Sequence, residues 1–267
     1  MSMRIETDIS LDPTLGCGQA HRWRKQADGS WQGVIGRSCV TLRQTKDGFE
    51  CEGDAPRSAV EKYFRTGDDL PTIIADISAR DPYVAGLSER CPGLRILRQP
   101  EWECLATYVL ATNVNVKRIA KMVESVCDLF GTDLGARRAF PTPKQILDGK
   151  ERIGECRLGF REERFLLLAQ RAEDGDVDVK ALEELPYEEL TQSLMGIKGV
   201  GPKVADCVAL FGYGRLEAFP VDVRIQKVME ARYGVSGSYK AVAARGRKMF
   251  GPYAGYAQEF LYHSEFI

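Results

Sequence analysis

LMGIKGVGPKVADCVALF, residues 194–211, is the stretch on which the fold turns. A helix closes at Gly196, a tight IKGVG loop follows, and a second helix opens at Pro202, a favoured first helical residue. Val204, Cys207, Val208 and Phe211 give that helix an apolar face. Gly199 and Gly201 permit positive φ and leave backbone N–H groups uncovered. Amides gathered at a helix N-terminus make an anion cradle suited to a DNA phosphate. A plain αα-hairpin with a glycine turn would look the same, so this stretch alone leaves both readings open. Lys203 bears on the choice. It stands in the first turn of the second helix, where the macrodipole disfavours an ammonium. A free amine is what a Schiff-base nucleophile requires; a surface lysine on a phosphate is the plainer alternative.

Downstream lies AFPVDVRIQKVMEARYG, residues 218–234, in which Asp222 is a natural N-cap ahead of the stripe Ile225, Val228 and Met229. A carboxylate fixed beside a desolvated amine can also orient it and stabilise positive charge on a sugar. Outward from this centre, helical periodicity continues in both directions. Trp102, Leu105, Ala106 and Val109 keep the helical spacing, as do Ile119, Met122, Val123 and Val126. REERFLLLAQRAED, SYKAVAARGRKMFG and YAGYAQEFLYHSEF read as further helices. The first fifty residues differ. RIETDI, HRWRK, SWQGVIG, SCVTLRQ and GFECEG read as strands, separated by the turn signals DPTLGCG, ADGS, GRS and KDG. The expected fold class is α+β. An antiparallel β-sheet domain over residues 1–95 packs as a meander on an all-helical body over residues 96–267, with the hairpin at about 190–212 and a cleft between the two parts.

Composition narrows the function. The net charge is −1, from 37 Lys+Arg against 38 Asp+Glu, which excludes a globally basic nucleic-acid coat but not a local basic face. One such run is Lys240, Arg245, Arg247 and Lys248, with no acid among them. No apolar run is long enough for a membrane span, and MSMRIETDIS carries no signal-peptide core, so an intracellular, monomeric protein is expected. Its site would be the cytoplasm of a prokaryote, or the nucleus of a eukaryote. The eight cysteines form no CxxC or Cys/His cluster, so they read as reduced thiols rather than zinc ligands.

GIKGVGPKVADCVALF followed by AFPVDVRI resembles the hairpin, Gly/Pro-rich loop and aspartate of the helix-hairpin-helix DNA glycosylase superfamily. Within it, the chain resembles the 8-oxoguanine DNA glycosylase/AP lyases of the eukaryotic type. LGCGQAHRWR, LRILRQPEWECLATYVLATNVNVKRIAKMV, ECRLGFREERF and FGPYAGYAQEFLYHSEF extend the likeness over nearly the full length. The resemblance implies excision of 8-oxoguanine opposite cytosine in duplex DNA and nicking of the strand by β-elimination. Lys203 would be the nucleophile and Asp222 the stabilising carboxylate. Gly18 would present its carbonyl to the N7–H that guanine lacks. Cys207 and Tyr262 would sandwich the extruded base, and Gln258 would bond its Watson–Crick edge. Asn113, Arg118 and Arg161 would attend the orphaned cytosine, with Phe160 wedged into the stack. Gly199, Gly201 and Arg224 would meet the phosphates. No cofactor, metal or iron–sulfur cluster is called for; a monovalent cation on the hairpin carbonyls is compatible with the superfamily.

Each residue also has a plainer reading. Gly18 could be a turn glycine, Cys207, Phe160 and Tyr262 core, Gln258 a solvated helix residue, Asn113 the cap of the helix near Val116, and Arg118 and Arg161 surface charges. Several positions depart from the family pattern: His21 for an aromatic residue, Val114 within an asparagine run, Arg224 for a histidine, and Tyr262 for a phenylalanine. Arg161 and Arg164 compete for one role. The rivals are a glycosylase of the same fold acting on other damaged bases and a non-catalytic hairpin module that only binds DNA. The second would have no use for Lys203, Asp222 and a pocket helix together.

Overall fold

The computed structural model describes residues 2–263. Alternating burial in β3 (Trp31–Ile35), β4 (Ser38–Thr45) and β5 (Gly48–Gly53) turns Trp31, Val40, Leu42, Phe49 and Cys51 to one face. β2 (Arg24–Lys25) pairs with β3, so β2 to β5 form the expected antiparallel meander. β1 (Ser2–Glu6) corrects the order: it pairs with β5, giving β1-β5-β4-β3-β2. This placement frees the chain after β1 to run across the sheet before β2 begins. That crossing segment holds a second correction. DPTLGCG, expected as a turn, instead supplies most of helix α1 (Leu11–Gly16), which buries Leu11, Thr14 and Leu15. Its three buried side chains outweigh the turn chemistry of Asp12, Pro13 and Gly16.

The sheet face is closed by α2 (Arg57–Phe64), whose Val60, Tyr63 and Phe64 join Trp23, Trp31 and Phe49 in one core. The Trp23 indole donates to the Tyr63 hydroxyl at 2.8 Å, so the largest side chain there leaves no orphaned donor. α3 (Leu70–Arg80) and α4 (Pro82–Arg90) lie on the other side. Leu70, Ile73, Ile77, Val84 and Leu87 belong to the helical core, although they precede residue 95. Packing therefore changes partner earlier in the chain than the strand-to-helix composition suggests.

The body continues with α5 (Glu101–Leu110), α6 (Val116–Phe130), α7 (Pro143–Asp148), α8 (Glu162–Glu173), α9 (Tyr187–Met195), α10 (Pro202–Phe211), α11 (Val223–Tyr233), α12 (Tyr239–Phe250) and α13 (Ala254–His263). α6 is capped by Asn115, which accepts from the Arg118 amide at 2.9 Å, and not by Asn113. α13 is buried from Ala254 to Leu261, the signature of a central helix. It approaches α10 so closely that a Cβ at Gly255 would stand 2.4 Å from Leu210.

α9, α10 and α12 are tied by a buried polar knot. Asp206, 3% exposed, accepts from the hydroxyls of Tyr187 and Tyr239, and Arg247 donates to the Tyr187 hydroxyl at 3.1 Å. Burial raises the Asp206 carboxyl, and the two tyrosines and Arg247 oppose that shift. Arg247 thus leaves the expected basic run for a structural duty, while Lys240, Arg245 and Lys248 stay exposed. Asp206→Ala should cost about 3 kcal/mol in urea unfolding, because it leaves the Tyr187 and Tyr239 hydroxyls without their acceptor. A loss below about 0.5 kcal/mol would mean that water satisfies them equally well.

Candidate active site

The hairpin places the first two side chains. Gly199 sits at φ +95°, which a residue with a Cβ adopts only under strain. Gly201 is extended at φ −92°, so the turn needs one glycine conformation where two were expected. α10 then starts at Pro202, putting Lys203 in its first turn and Cys207 four residues on, along one face. The Lys203 amine lies within hydrogen-bond reach of the Cys207 thiol, and Nζ is 5.2 Å from the centre of the Tyr108 ring. Burial pushes the Cys207 thiol up to about 11, so it is a neutral apolar surface at physiological pH.

Asp222 caps α11. Its Oδ1 accepts from the amides of Arg224 at 3.0 Å and Ile225 at 2.9 Å. Among the described residues Oδ2 carries no hydrogen bond, so the capping role leaves half of the carboxylate uncommitted. The Arg224 guanidinium lies 5.1 Å from the Tyr262 ring centre, on the rim of the same site. Burial moves the Tyr262 hydroxyl up to about 12, against the pull of Arg224.

These groups converge on one cavity of about 120 Å³ whose wall includes Gly18, Lys203, Cys207, Asp222, Gln258 and Tyr262. Gly18 has φ +96°, and the next residue, Gln19, is tied through both its carbonyl and its side chain. The Gln19 carbonyl accepts from Gln99 Nε2 at 2.8 Å and from Tyr108 at 3.3 Å. The Gln19 side chain bonds the carbonyls of Thr14 and Arg95 and the Leu97 amide, each at 2.8 Å. Across the cavity, Gln258 is 5% exposed and its Oε1 has no partner among the described residues. A buried amide oxygen with nothing to accept is rare unless a ligand completes it. His21 lies in the wall as well. Burial, followed by the nearby Lys203 charge, lowers it to about 4, so the imidazole is neutral at physiological pH.

A second group stands apart from the cavity. Phe160 is 57% exposed, with the Arg161 guanidinium 4.1 Å and the Arg164 guanidinium 5.6 Å from its ring centre. An apolar ring held outward between cations is arranged for a partner. Arg161 is itself buried and donates to the carbonyls of Thr112, Asn113 and Leu158. It holds Asn113 at φ +53° with its side chain exposed. Arg118 is exposed and donates to the Arg157 carbonyl at 2.8 Å. Arg164 lies against the hairpin, where a Cβ at Gly199 would come within 2.9 Å of its Cδ. So the two competing arginines divide their positions, Arg161 to the Asn113 loop and Arg164 to the hairpin. Among the described residues none of the three arginines forms an ion pair, and mutual repulsion adds to burial in lowering Arg161.

Sequence reasoning missed Gln19, Asp206 and Glu259. Glu259 is 2% exposed on the cavity wall beside Gln258. The signal was present: an acid inside the apolar run of α13 has no solvent to face. Among the described residues no group of three or more His, Cys, Asp or Glu could hold a metal ion, and no helix is long and apolar enough to cross a membrane.

A sheet domain, a helical hairpin with a lysine at its second helix, and a capping aspartate define a helix-hairpin-helix DNA glycosylase. The profile described as "8-oxoguanine DNA glycosylase, N-terminal domain" matches residues 3–105. The N-glycosylase/DNA lyase OGG1 of Arabidopsis thaliana is 29% identical over 97% of this chain and 78% of its own. The structure of MBOgg1 in complex with a low-affinity DNA ligand superposes with a TM-score of 0.92 at 30% identity, covering 98% of this chain and 93% of that one. Clostridium acetobutylicum 8-oxoguanine glycosylase/lyase, bound to duplex DNA with cytosine opposite 8-oxoG, gives 0.92 at 27% identity over 98% and 93%. The chain belongs to the 8-oxoguanine DNA glycosylase family.

Burial raises the Glu259 carboxyl from 4.5 to about 7; the nearby Asp222 charge adds to this and the Cys17 thiol opposes it. The folded protein therefore keeps a proton that the unfolded chain releases. Stability should fall as pH rises through that interval, by about 3 kcal/mol, and stay lower above it. Glu259→Gln should abolish this slope and exceed the wild type in stability at alkaline pH. Superimposable pH–stability curves for the two proteins would contradict the assignment.

Proposed function

We propose that this protein extrudes 8-oxoguanine from duplex DNA, excises it, and nicks the strand. The observation that carries the reading is a single cavity joining a lysine at a helix N-terminus, a half-committed carboxylate and, among the described residues, an unsatisfied buried amide oxygen on Gln258. C1′ is inaccessible inside a stacked duplex, so the base must leave the helix first. Lys203 Nζ attacks C1′; the C1′–N9 bond breaks and its electron pair leaves with the base, which takes up a proton. Asp222 offsets the positive charge that builds on the sugar. The sugar ring opens to an iminium on Lys203. Loss of a 2′ proton then expels the 3′ phosphate by β-elimination. The amine and the carboxylate supply this chemistry, so the scheme calls on no redox cofactor or iron–sulfur cluster. A monovalent cation at the hairpin would serve phosphate binding alone.

Recognition follows from the same wall. The Gly18 carbonyl accepts from the N7–H of 8-oxoguanine and would repel the N7 lone pair of guanine. The Gln258 amide takes the Watson–Crick edge, between Cys207 on one face and Tyr262 on the other. Phe160 fills the vacated stack. Arg118 and Asn113 read the orphaned base, with Arg161 holding the loop that presents Asn113. Gly199, Gly201 and Arg224 lie where phosphates would approach. Double-stranded DNA is the partner, and an intracellular monomer remains the expected setting.

Lys203→Gln should lose the borohydride-trapped covalent complex with an 8-oxoguanine duplex while still binding it; a wild-type yield of trapped adduct would reject Lys203 as the nucleophile. Asp222→Asn keeps much of the cap but not the charge. Its single-turnover rate should drop by about a hundredfold or more, at a stability cost near 1 kcal/mol. If activity fell only with the folded fraction, the carboxylate would be structural alone.

Opposite-base preference offers a further check. An arginine aimed at cytosine's acceptors meets a donor on adenine, and a charge buried by the bound DNA and left unpaired costs ~3 kcal/mol, about a hundredfold in rate. Excision should be fast opposite cytosine and slow opposite adenine, and Arg118→Ala should narrow the gap. Equal wild-type rates opposite all four bases would refute the role of this cluster.

A further inference from the structure

Glu259 is the one carboxyl of the cavity wall that the mechanism above leaves unused. It is 2% exposed, and among the described residues Oε1 has no hydrogen-bond partner. The groups facing it come from five elements. Cys17, at the end of α1, sets its sulfur against it while its thiol donates to the Thr14 carbonyl at 3.4 Å; Asp222 caps α11; Tyr108 lies on α5 and Tyr262 on α13 itself; Lys203 and His21 share the cavity wall. No arginine or lysine pairs with it among the described residues. A buried carboxylate without a cation is costly, so the group is held as a neutral acid. A neutral carboxylic acid is a hydrogen-bond donor, and the cavity's other base-reading atoms, the Gly18 carbonyl and Gln258 Oε1, are acceptors.

We propose that Glu259 is a further specificity residue: its protonated carboxyl donates a hydrogen bond to an oxo oxygen flanking N7 of the extruded purine, beside the Gly18 carbonyl. The inference rests on the reading of this cavity as the 8-oxoguanine pocket. The imidazole edge of 8-oxoguanine presents acceptor, donor, acceptor at O6, N7–H and O8. An acceptor from Gly18 placed next to a donor from Glu259 complements two neighbouring positions of that edge. Guanine satisfies at most one of the two, because its N7 is an acceptor. Cys17, which touches Glu259, immediately precedes Gly18 in the chain, so both reading groups are anchored at one turn.

The test is equilibrium binding in a Lys203→Gln background, so that nothing is excised, to two duplexes: one carrying 8-oxoguanine and one carrying a tetrahydrofuran abasic analogue. Their affinity ratio isolates contacts to the base. With Glu259 intact, the ratio should fall about tenfold between pH 6 and pH 8, as the carboxyl, lifted by burial to about 7, gives up its proton. Glu259→Gln keeps a donor that does not titrate, so its ratio should be flat and stay within about threefold of the pH 6 value. Glu259→Ala should lower the ratio about tenfold at pH 6 with abasic binding unchanged. A glutamine variant that keeps the pH slope, or an alanine variant that keeps the full ratio, would overturn the proposal. If the parent protein itself shows no preference for 8-oxoguanine, the pocket reading fails instead, and the two failures are thereby told apart.

Discussion

Everything at this site depends on how the Gln19 peptide is clamped. Its carbonyl and both polar atoms of its side chain are occupied by groups from both parts of the molecule, and Gln19 is 2% exposed. A fully satisfied buried amide rigidifies its surroundings, because any displacement leaves several polar groups unpaired at once. The adjacent Gly18 is thus held in its left-handed conformation against the helical body. One consequence is a wall of fixed backbone opposite α10 and α13, rather than a loop that closes on a ligand. Preorganisation of this kind makes discrimination between bases differing by one proton and one oxygen feasible.

The groups proposed to react depend on helix ends. Lys203 opens α10 and Asp222 caps α11, so the positive ends of two helices bound the place where the sugar would lie. Asp206 fastens α10 from behind, three residues after Lys203, through two tyrosines on different helices. The orientation of Lys203 is therefore set by a buried polar knot outside the cavity. The opposing cluster is built differently, from an exposed ring and three arginines that form no ion pair among the described residues, which suits a partner that brings its own negative charge.

Much of this was legible in the sequence, and the boundary of legibility is physical. Helices with long apolar periods were readable because local spacing decides them. The hairpin was readable because proline and glycine act locally. β1 joining β5, and α1 in place of a DPTLGCG turn, were not, since both are decided by tertiary partners: an open sheet edge for one and a buried seam for the other. Asn113 and Asn115 are two residues apart with the same chemistry, and only the entry path of the chain makes Asn115 the cap. Among the site residues, Lys203, Asp222, Gly18 and Gln258 carry local or familial signals. Glu259 carries only the weaker signal of an acid inside an apolar run; that no Arg or Lys among the described residues pairs with it is a three-dimensional fact.

The central claim is that the Lys203 amine attacks C1′ of an extruded 8-oxoguanine nucleotide inside this cavity. The most direct measurement is to trap the wild-type protein with borohydride on an 8-oxoguanine·cytosine duplex, digest the adduct, and locate the sugar-bearing peptide by mass spectrometry. The account predicts a single modified peptide, containing GVGPKVADC, with the sugar fragment on Lys203. Modification at another lysine, or base release with no trapped adduct, would contradict it.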